Sequence, residues 1–103
     1  NDAMEARALA RTFARQVPAS STKSLTGHTL GAAGALELGI CWMALSGMNV
    51  DGILPPQLWD GQGDEGGPAV DIVTKGRVAA RLSRCMSNSF AFGGCNASLV
   101  IGK

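Results

Sequence analysis

Leu9 and Phe13 fall four residues apart near the start of the chain, with Arg7, Arg11 and Arg15 on another face. That period predicts an amphipathic helix over residues 3–15. Asp2 and Glu5 have the spacing of a capping box that would start it. Pro18 breaks the pattern, and residues 17–22 read as a short extended segment. From about residue 30 to 46 the rhythm changes. "LGAAGALELGICWMALS" is apolar nearly all round, which predicts a buried helix. Gly31, Ala32, Ala33, Gly34 and Ala35 would allow another backbone to approach closely, at some cost in helix propensity. Gly47 is a natural stop. "MNVDGILPP" then reads as extended, and residues 57–69, rich in Gly, Asp and Pro, as a surface loop. "VDIVTK" is a strand candidate. "RCMSNSF" and "CNASLVIG", joined by "AFGG", are two more and form a terminal hairpin-like pair. The order of elements is that of an α/β chain without internal repeats.

Composition narrows the function classes. A net charge of +1 offers no strong field for nucleic acid or an anionic membrane. Only 17% of residues are charged, so much of the surface is expected to lie under more chain or a partner. The three cysteines, Cys41, Cys85 and Cys95, form no CxxC pair, and His28 is the single histidine, so a zinc centre is unsupported. Free thiols fit a reducing compartment, and the apolar run at residues 40–45 is too short to span a bilayer. The expectation is a cytoplasmic protein without a metal. The chain has no initiator Met and starts almost directly at a helix, so it reads as a piece of something longer.

The candidate chemistry concentrates in "TKSLTGHTLGAAGALE". His28 stands just ahead of the small-residue helix. It is either a structural hydrogen-bonding residue or a neutral imidazole whose N–H meets a developing oxyanion. Glu37 is the only formally charged residue between Lys23 and Asp51. A carboxylate in that apolar setting either reaches solvent or finds a partner, and Lys23 is the nearest preceding cation. Gly27, Gly31 and Gly34 do not match a phosphate-binding loop. "SSTK" has the SxxK spacing of serine acyl-enzymes, yet no KTG follows and the segment precedes its helix. "NSFAFGGCN" is open to two readings: a hairpin with core phenylalanines, or a backbone loop with free N–H groups close to substrate.

Taken together, "STKSLTGHTLGAAGALE" followed by "MSNSFAFGGCNASLVIGK" resembles the C-terminal end of a β-ketoacyl-[acyl-carrier-protein] synthase, and the opening "ND…E" is similar to the segment after that family's first catalytic histidine. The resemblance covers essentially all of residues 1–103. It implies the C-terminal part of a thiolase-like fold, two similar α/β halves stacked in five layers. It implies that His28 is the second of two catalytic histidines, Lys23 the active-site lysine and Glu37 its charged partner. It also implies that Phe92, Phe90, Gly93 and Gly94 form the oxyanion hole and acyl gate. The implied reaction is a decarboxylative Claisen condensation on substrates carried by the phosphopantetheine of acyl carrier protein, with no further cofactor. The implied partners are that carrier and a second synthase subunit, in a homodimer or a synthase-like heterodimer. The family's nucleophilic Cys, first His and pantetheine-binding threonines would precede Asn1, and none of the three cysteines matches the nucleophile. Ala91 stands where the family usually has glycine, and Cys95 where it often has threonine. Two other readings stay open: a non-catalytic chain-length subunit that pairs with an active synthase, and an acyl-enzyme hydrolase acting through Ser20 and Lys23.

Overall fold

A computed structural model describes residues 2–63, 66–91 and 93–103 of the chain. Helix α1 spans Asp2–Thr12. It ends three residues before the expected residue 15, and Asp2 lies within its first turn rather than capping it from outside. The last backbone bond of this helical run goes from Phe13 N–H to Leu9 O, at 3.1 Å. Residues 14 and 15 then bend ahead of Pro18, whose ring disfavours helical geometry just before it. Strand β1, Pro18–Ala19, follows.

Helix α2, Lys23–Thr26, was not expected from the sequence, which carries no apolar period there. A 3-10 turn at Leu30–Ala32 leads into helix α3, Ala33–Leu45. The element expected over residues 30–46 is thus present, with its first turn wound more tightly and Ser46 in place of Gly47 at its end. Ser46 Oγ donates to Met43 O at 2.9 Å, which satisfies one of the orphan carbonyls of the last turn.

After α3 the chain folds into a web of short extended pieces. Asn49 locks the first of them. Its Oδ1 accepts the Ile53 N–H at 2.9 Å, and its Nδ2 donates to Ala44 O and Ile53 O at 2.8 and 2.9 Å. Strand β2 is only Asp71–Ile72, not the whole of "VDIVTK", and pairs parallel with β1. Beyond β2 the neighbours are irregular. Val73 N–H donates to Ala19 O and its own carbonyl accepts Gln57 N–H, both at 2.9 Å. The two prolines before Gln57 have no N–H to extend that ladder.

At Gly52 a turn passes beside the Ala79 backbone. Its φ is +67°, and a Cβ there would run into the Ala79 carbonyl oxygen. Gly52→Ala is therefore expected to cost about 2–4 kcal/mol, from left-handed strain plus a backbone overlap that no side-chain rotation relieves. Chemical denaturation of the complete protein measures it.

Asp71 and Arg77 form a bidentate ion pair whose second bond, Nη2 to Oδ2, is 2.7 Å. The Arg77 hydrogen bond holds the Asp71 carboxyl below its ordinary value. Such a group stabilises the fold fully above its unfolded-state value. That contribution is lost as pH falls through the lower folded-state value. Arg77→Met should remove that contribution: stability near neutrality falls, only slightly because the pair is solvent-screened, and this part of the acid limb flattens by the same amount in a stability-versus-pH series.

The chain closes with strands β3, Arg84–Ala91, and β4, Cys95–Gly102, antiparallel from Arg84↔Gly102 to Ala91↔Cys95. Helix α3 packs across this hairpin, chiefly on β3. The approach is close at one end, where a Cβ on Gly34 would lie 3.0 Å from Ser89 Oγ. Alternation along β3 turns Cys85, Ser87 and Ser89 towards α3. Met86, Asn88 and Phe90 face the other way, into a cleft of about 260 Å³ under Leu9 of α1 and Phe13 just beyond it.

Helix α3 is apolar all round, as its sequence reads, but it is not wholly buried in this chain. Among the described residues only its Ala44 and Leu45 are buried, while Trp42 and Met43 are 61% and 58% exposed. The sparse charge of the sequence and this uncovered face have one physical meaning. A helix with two apolar sides is a middle layer, and this chain supplies only one of the layers around it.

Candidate active site

The site is assembled at the junction of α2 and α3. Two hydrogen bonds hold the start of α2 and Ser21 ahead of it against the Gln57 side chain and the Leu58 backbone. Ser21 N–H donates to Gln57 Oε1 at 2.8 Å, and Leu58 N–H donates to Ser24 Oγ at 3.2 Å. Lys23 lies between these anchors as the first residue of α2. Its Nζ is ion-paired with Glu37 Oε1, one turn into α3. The Glu37 side chain is 19% exposed and that of Lys23 38%, so the pair is largely withdrawn from water on the carboxylate side. The alternative in which Glu37 merely reaches solvent is not what the fold adopts. Glu37 bridges the two helices.

Helix α2 ends at Gly27, and His28 follows in the tight connection to the 3-10 turn. The Leu30 N–H donates to His28 Nδ1 at 3.1 Å. That bond fixes the tautomer: a nitrogen that accepts an N–H carries no proton, so the imidazole proton sits on Nε2. Leu30 makes this contact with φ of +51°, the one positive φ at a non-glycine among the described residues. A bulky side chain in that region costs free energy, and the surrounding turn holds it there. His28 thus offers its Nε2–H as a hydrogen-bond donor on an exposed turn, with Nδ1 held by the Leu30 backbone. Among the described residues no hydrogen bond joins His28 to Lys23 or Glu37. The three residues share a junction, and two of them share a bond.

A match over residues 1–58 to the family described as beta-ketoacyl synthase, C-terminal domain, covers more than half of the chain. The chain belongs to the β-ketoacyl synthase family. A 3-oxoacyl-[acyl-carrier-protein] synthase 2 of Coxiella burnetii is 43% identical, over 99% of this chain and 24% of that protein. Nodulation protein E of Rhizobium leguminosarum bv. trifolii is likewise 43% identical, over 97% of this chain and 24% of its own length. Among solved structures, a ketosynthase of Xenorhabdus doucetiae in complex with its chain length factor matches with a TM-score of 0.83 and 46% identity. The match covers 99% of this chain and 25% of that one. The fold is therefore that of the C-terminal part of a thiolase-like ketosynthase. The chain spans about a quarter of the length of the curated relatives it matches.

Within this synthase segment, the second cluster expected from the sequence lies on the β3–β4 hairpin. Phe90 lines the cleft beneath α1 and no His28 atom does. Gly93 and Gly94 form the turn with φ of +74° and +93°, a backbone state that glycine adopts without steric cost. Phe92 lies outside the described residues. Ala91 is the last residue of β3 in ordinary register with Cys95, so the hairpin keeps its ladder up to the glycine turn. Ser20 of the "SSTK" motif is not in α2, which begins at Lys23. SxxK chemistry needs both residues on one helical turn, and that geometry is absent.

Sequence reasoning missed Asn88. Its Oδ1 accepts the Ser98 hydroxyl at 2.8 Å, and its amide faces Glu5 Oε1 at 3.5 Å. It ties β3 to β4 two residues before Phe90 and points towards α1. The period-two alternation of "MSNSF" was the available signal, since it set Asn88 on the same face as Phe90. Leu30 was missed as well, because a positive φ at leucine has no sequence signature.

Proposed function

We propose that the protein containing this chain is a β-ketoacyl-[acyl-carrier-protein] synthase that performs a decarboxylative Claisen condensation. The observation that carries this reading is the His28 tautomer, with Nδ1 occupied by the Leu30 N–H and Nε2–H left as a donor. A malonyl thioester that loses CO₂ passes its electron pair into an enolate, and the negative charge gathers on the thioester oxygen. A neutral N–H aimed at that oxygen stabilises the charge as it forms. The carbanion then attacks the carbonyl of a second acyl thioester, and the thiolate of that thioester leaves. His28 supplies the donor, Lys23 adds positive charge nearby, and Glu37 holds Lys23 in place. Phe90, Phe92, Gly93 and Gly94 serve as the acyl gate and second oxyanion site. The substrates ride on the phosphopantetheine of acyl carrier protein, and no other cofactor is required.

The nucleophile belongs to the rest of the protein. Cys41 and Cys85 lie in α3 and β3, and Cys95 opens β4, all away from the His28 turn in sequence. The active unit is a dimer, of two synthase copies or of one synthase with a chain-length subunit. The second possibility draws on the Xenorhabdus neighbour, which was solved with its chain length factor. Retention of His28 and Lys23 favours the catalytic role for this chain over the chain-length role, in a fatty acid or a polyketide pathway. Among the described residues no helix is long and apolar enough to cross a membrane, and a cytoplasmic location is proposed.

The test is to incubate the complete protein with malonyl- and acyl-carrier and follow CO₂ release and the β-ketoacyl product by mass spectrometry. Product formed by the protein alone supports the synthase. Product formed only when a second synthase subunit with an intact nucleophile is added would assign this chain to the chain-length class instead.

A further inference from the structure

Cys41 and Cys85 are the chemistry-bearing residues that the proposed condensation leaves unused. They come from different elements, yet the packing brings them together. Helix α3 lies on the face of β3 that carries Cys85, Ser87 and Ser89. Gly34 sits against Ser89 at one end of this contact. Cys41 follows Gly34 by two helical turns, and Cys85 precedes Ser89 by four strand residues. At 1.5 Å per helical residue and about 3.3 Å per strand residue, the two steps are about 10 and 13 Å. Ser89 lies near the C-terminal end of β3, so a helix that starts there and packs along β3 runs back down the strand, and the second contact falls at Cys41 against Cys85. At Gly34 the missing side chain lets the helix backbone come close to Ser89 on the strand. Both thiols are free and half-buried.

We infer that Cys41 and Cys85 are a redox-convertible pair, able to close into a disulfide that ties α3 to β3. The rest of the molecule makes this closure selective. Cys95 is exposed and opens the neighbouring strand β4. Its cross-strand partner is Ala91, whereas that of Cys85 is Ile101, so Cys95 is at the far end of the hairpin. The ionisable neighbours support the assignment of the pair. Burial, then the Cys85 thiol, then the Glu37 carboxylate push the Cys41 thiol up. Burial also pushes Cys85 up, while a hydrogen bond from Cys41 acts in the other direction. The two thiols thus sense each other, and Cys41 also senses the Glu37 carboxylate one turn away, which is itself ion-paired with Lys23. Both thiols stay protonated near neutrality, and closure is slow there and faster as pH rises.

The chemistry balances with hydrogen peroxide as oxidant. The Cys85 thiolate, the one that Cys41 assists, attacks the O–O bond and becomes a sulfenic acid. The displaced oxygen leaves as water after taking the thiol proton. Cys41 then attacks the Cys85 sulfur, an S–S bond forms, and the sulfenic oxygen leaves as a second water. Two thiols are oxidised by two electrons and one peroxide is reduced. A small thiol reverses the step by exchange.

The experiment treats the complete protein with hydrogen peroxide across a pH series, alkylates the remaining thiols and maps peptides by mass spectrometry. The expected product is a Cys41–Cys85 linked peptide, lighter by two hydrogens than the sum of its parts. It should form faster at higher pH, be removed by dithiothreitol, be absent in C41S and in C85S, and persist in C95S. The oxidised protein should unfold about 5 °C higher than the reduced one, a shift missing from both single variants. A link through Cys95, over-oxidation without any link, or a linked protein that unfolds lower would each overturn the inference. None of these readouts depends on condensing activity, so the proposed function stands or falls separately.

Discussion

His28→Ala in the complete synthase is expected to slow malonyl-carrier decarboxylation on the order of 10²- to 10³-fold, the usual cost of deleting one preorganised donor to a developing oxyanion. The substitution removes the Nε2–H donor and, on the fold side, only the Nδ1 acceptor of the Leu30 N–H. His28 is exposed, and the one hydrogen bond it makes among the described residues is the one it accepts from Leu30. Stability should therefore change by less than about 1 kcal/mol, and by slightly more only if the Leu30 turn relaxes once its acceptor is gone. Transfer of the acyl group onto the nucleophile should survive, because that step does not build enolate charge. Single-turnover measurements separate the two steps. An equal loss in both would show that His28 acts on the fold or on carrier binding, and would remove the donor role. His28→Gln is the finer probe. Its amide carries an N–H but has no Nδ1 acceptor for Leu30. Partial recovery over alanine would show that a donor alone helps. The remaining deficit would measure what the Leu30 contact contributes by aiming it.

The contrast between Leu30 and Glu37 shows what the chain's pattern reveals and what it hides. Glu37 was legible because it is the only formal charge in a long apolar stretch, and burying it demands a partner whatever the fold. Lys23 followed as the nearest preceding cation, and the ion pair bears out that argument. The hairpin was legible for a similar reason: "RCMSNSF" and "CNASLVIG" have strand period and length, and Gly93–Gly94 between them fits a turn. The short elements were not. Helix α2 has four residues, too few for an apolar period, and forms because Ser21 and Ser24 are tied to the distant Gln57 side chain and Leu58 N–H. The early end of α1 has a local cause, since Arg15 continues the period while Pro18 already disfavours the helix ahead of it. Pattern reports what the chain prefers locally. The α2 boundaries are set by contacts more than thirty residues away, and the end of α1 by a proline six residues on.

Breaking the Lys23–Glu37 pair should do two separable things. Glu37→Ala leaves an ammonium facing the space its partner filled, and is expected to cost about 2 kcal/mol. That lies between the 0–1 of an exposed pair and the 3–5 of a fully buried one, because the Lys23 side chain keeps more than a third of its area in water. Lys23→Met should cost less in stability, since a stranded carboxylate can take up a proton and become neutral. K23M combined with E37L removes both charges, and most of the lost stability should return. Catalysis should not return with it. If Lys23 contributes positive charge to the enolate, the double variant will fold as well as the parent and still condense at least about tenfold more slowly. Thermal unfolding and decarboxylation rates measured on the same three proteins give the answer. A double variant that regains both stability and rate would reduce the pair to a strut between α2 and α3. One that regains neither would show that the site tolerates no apolar filling at that junction.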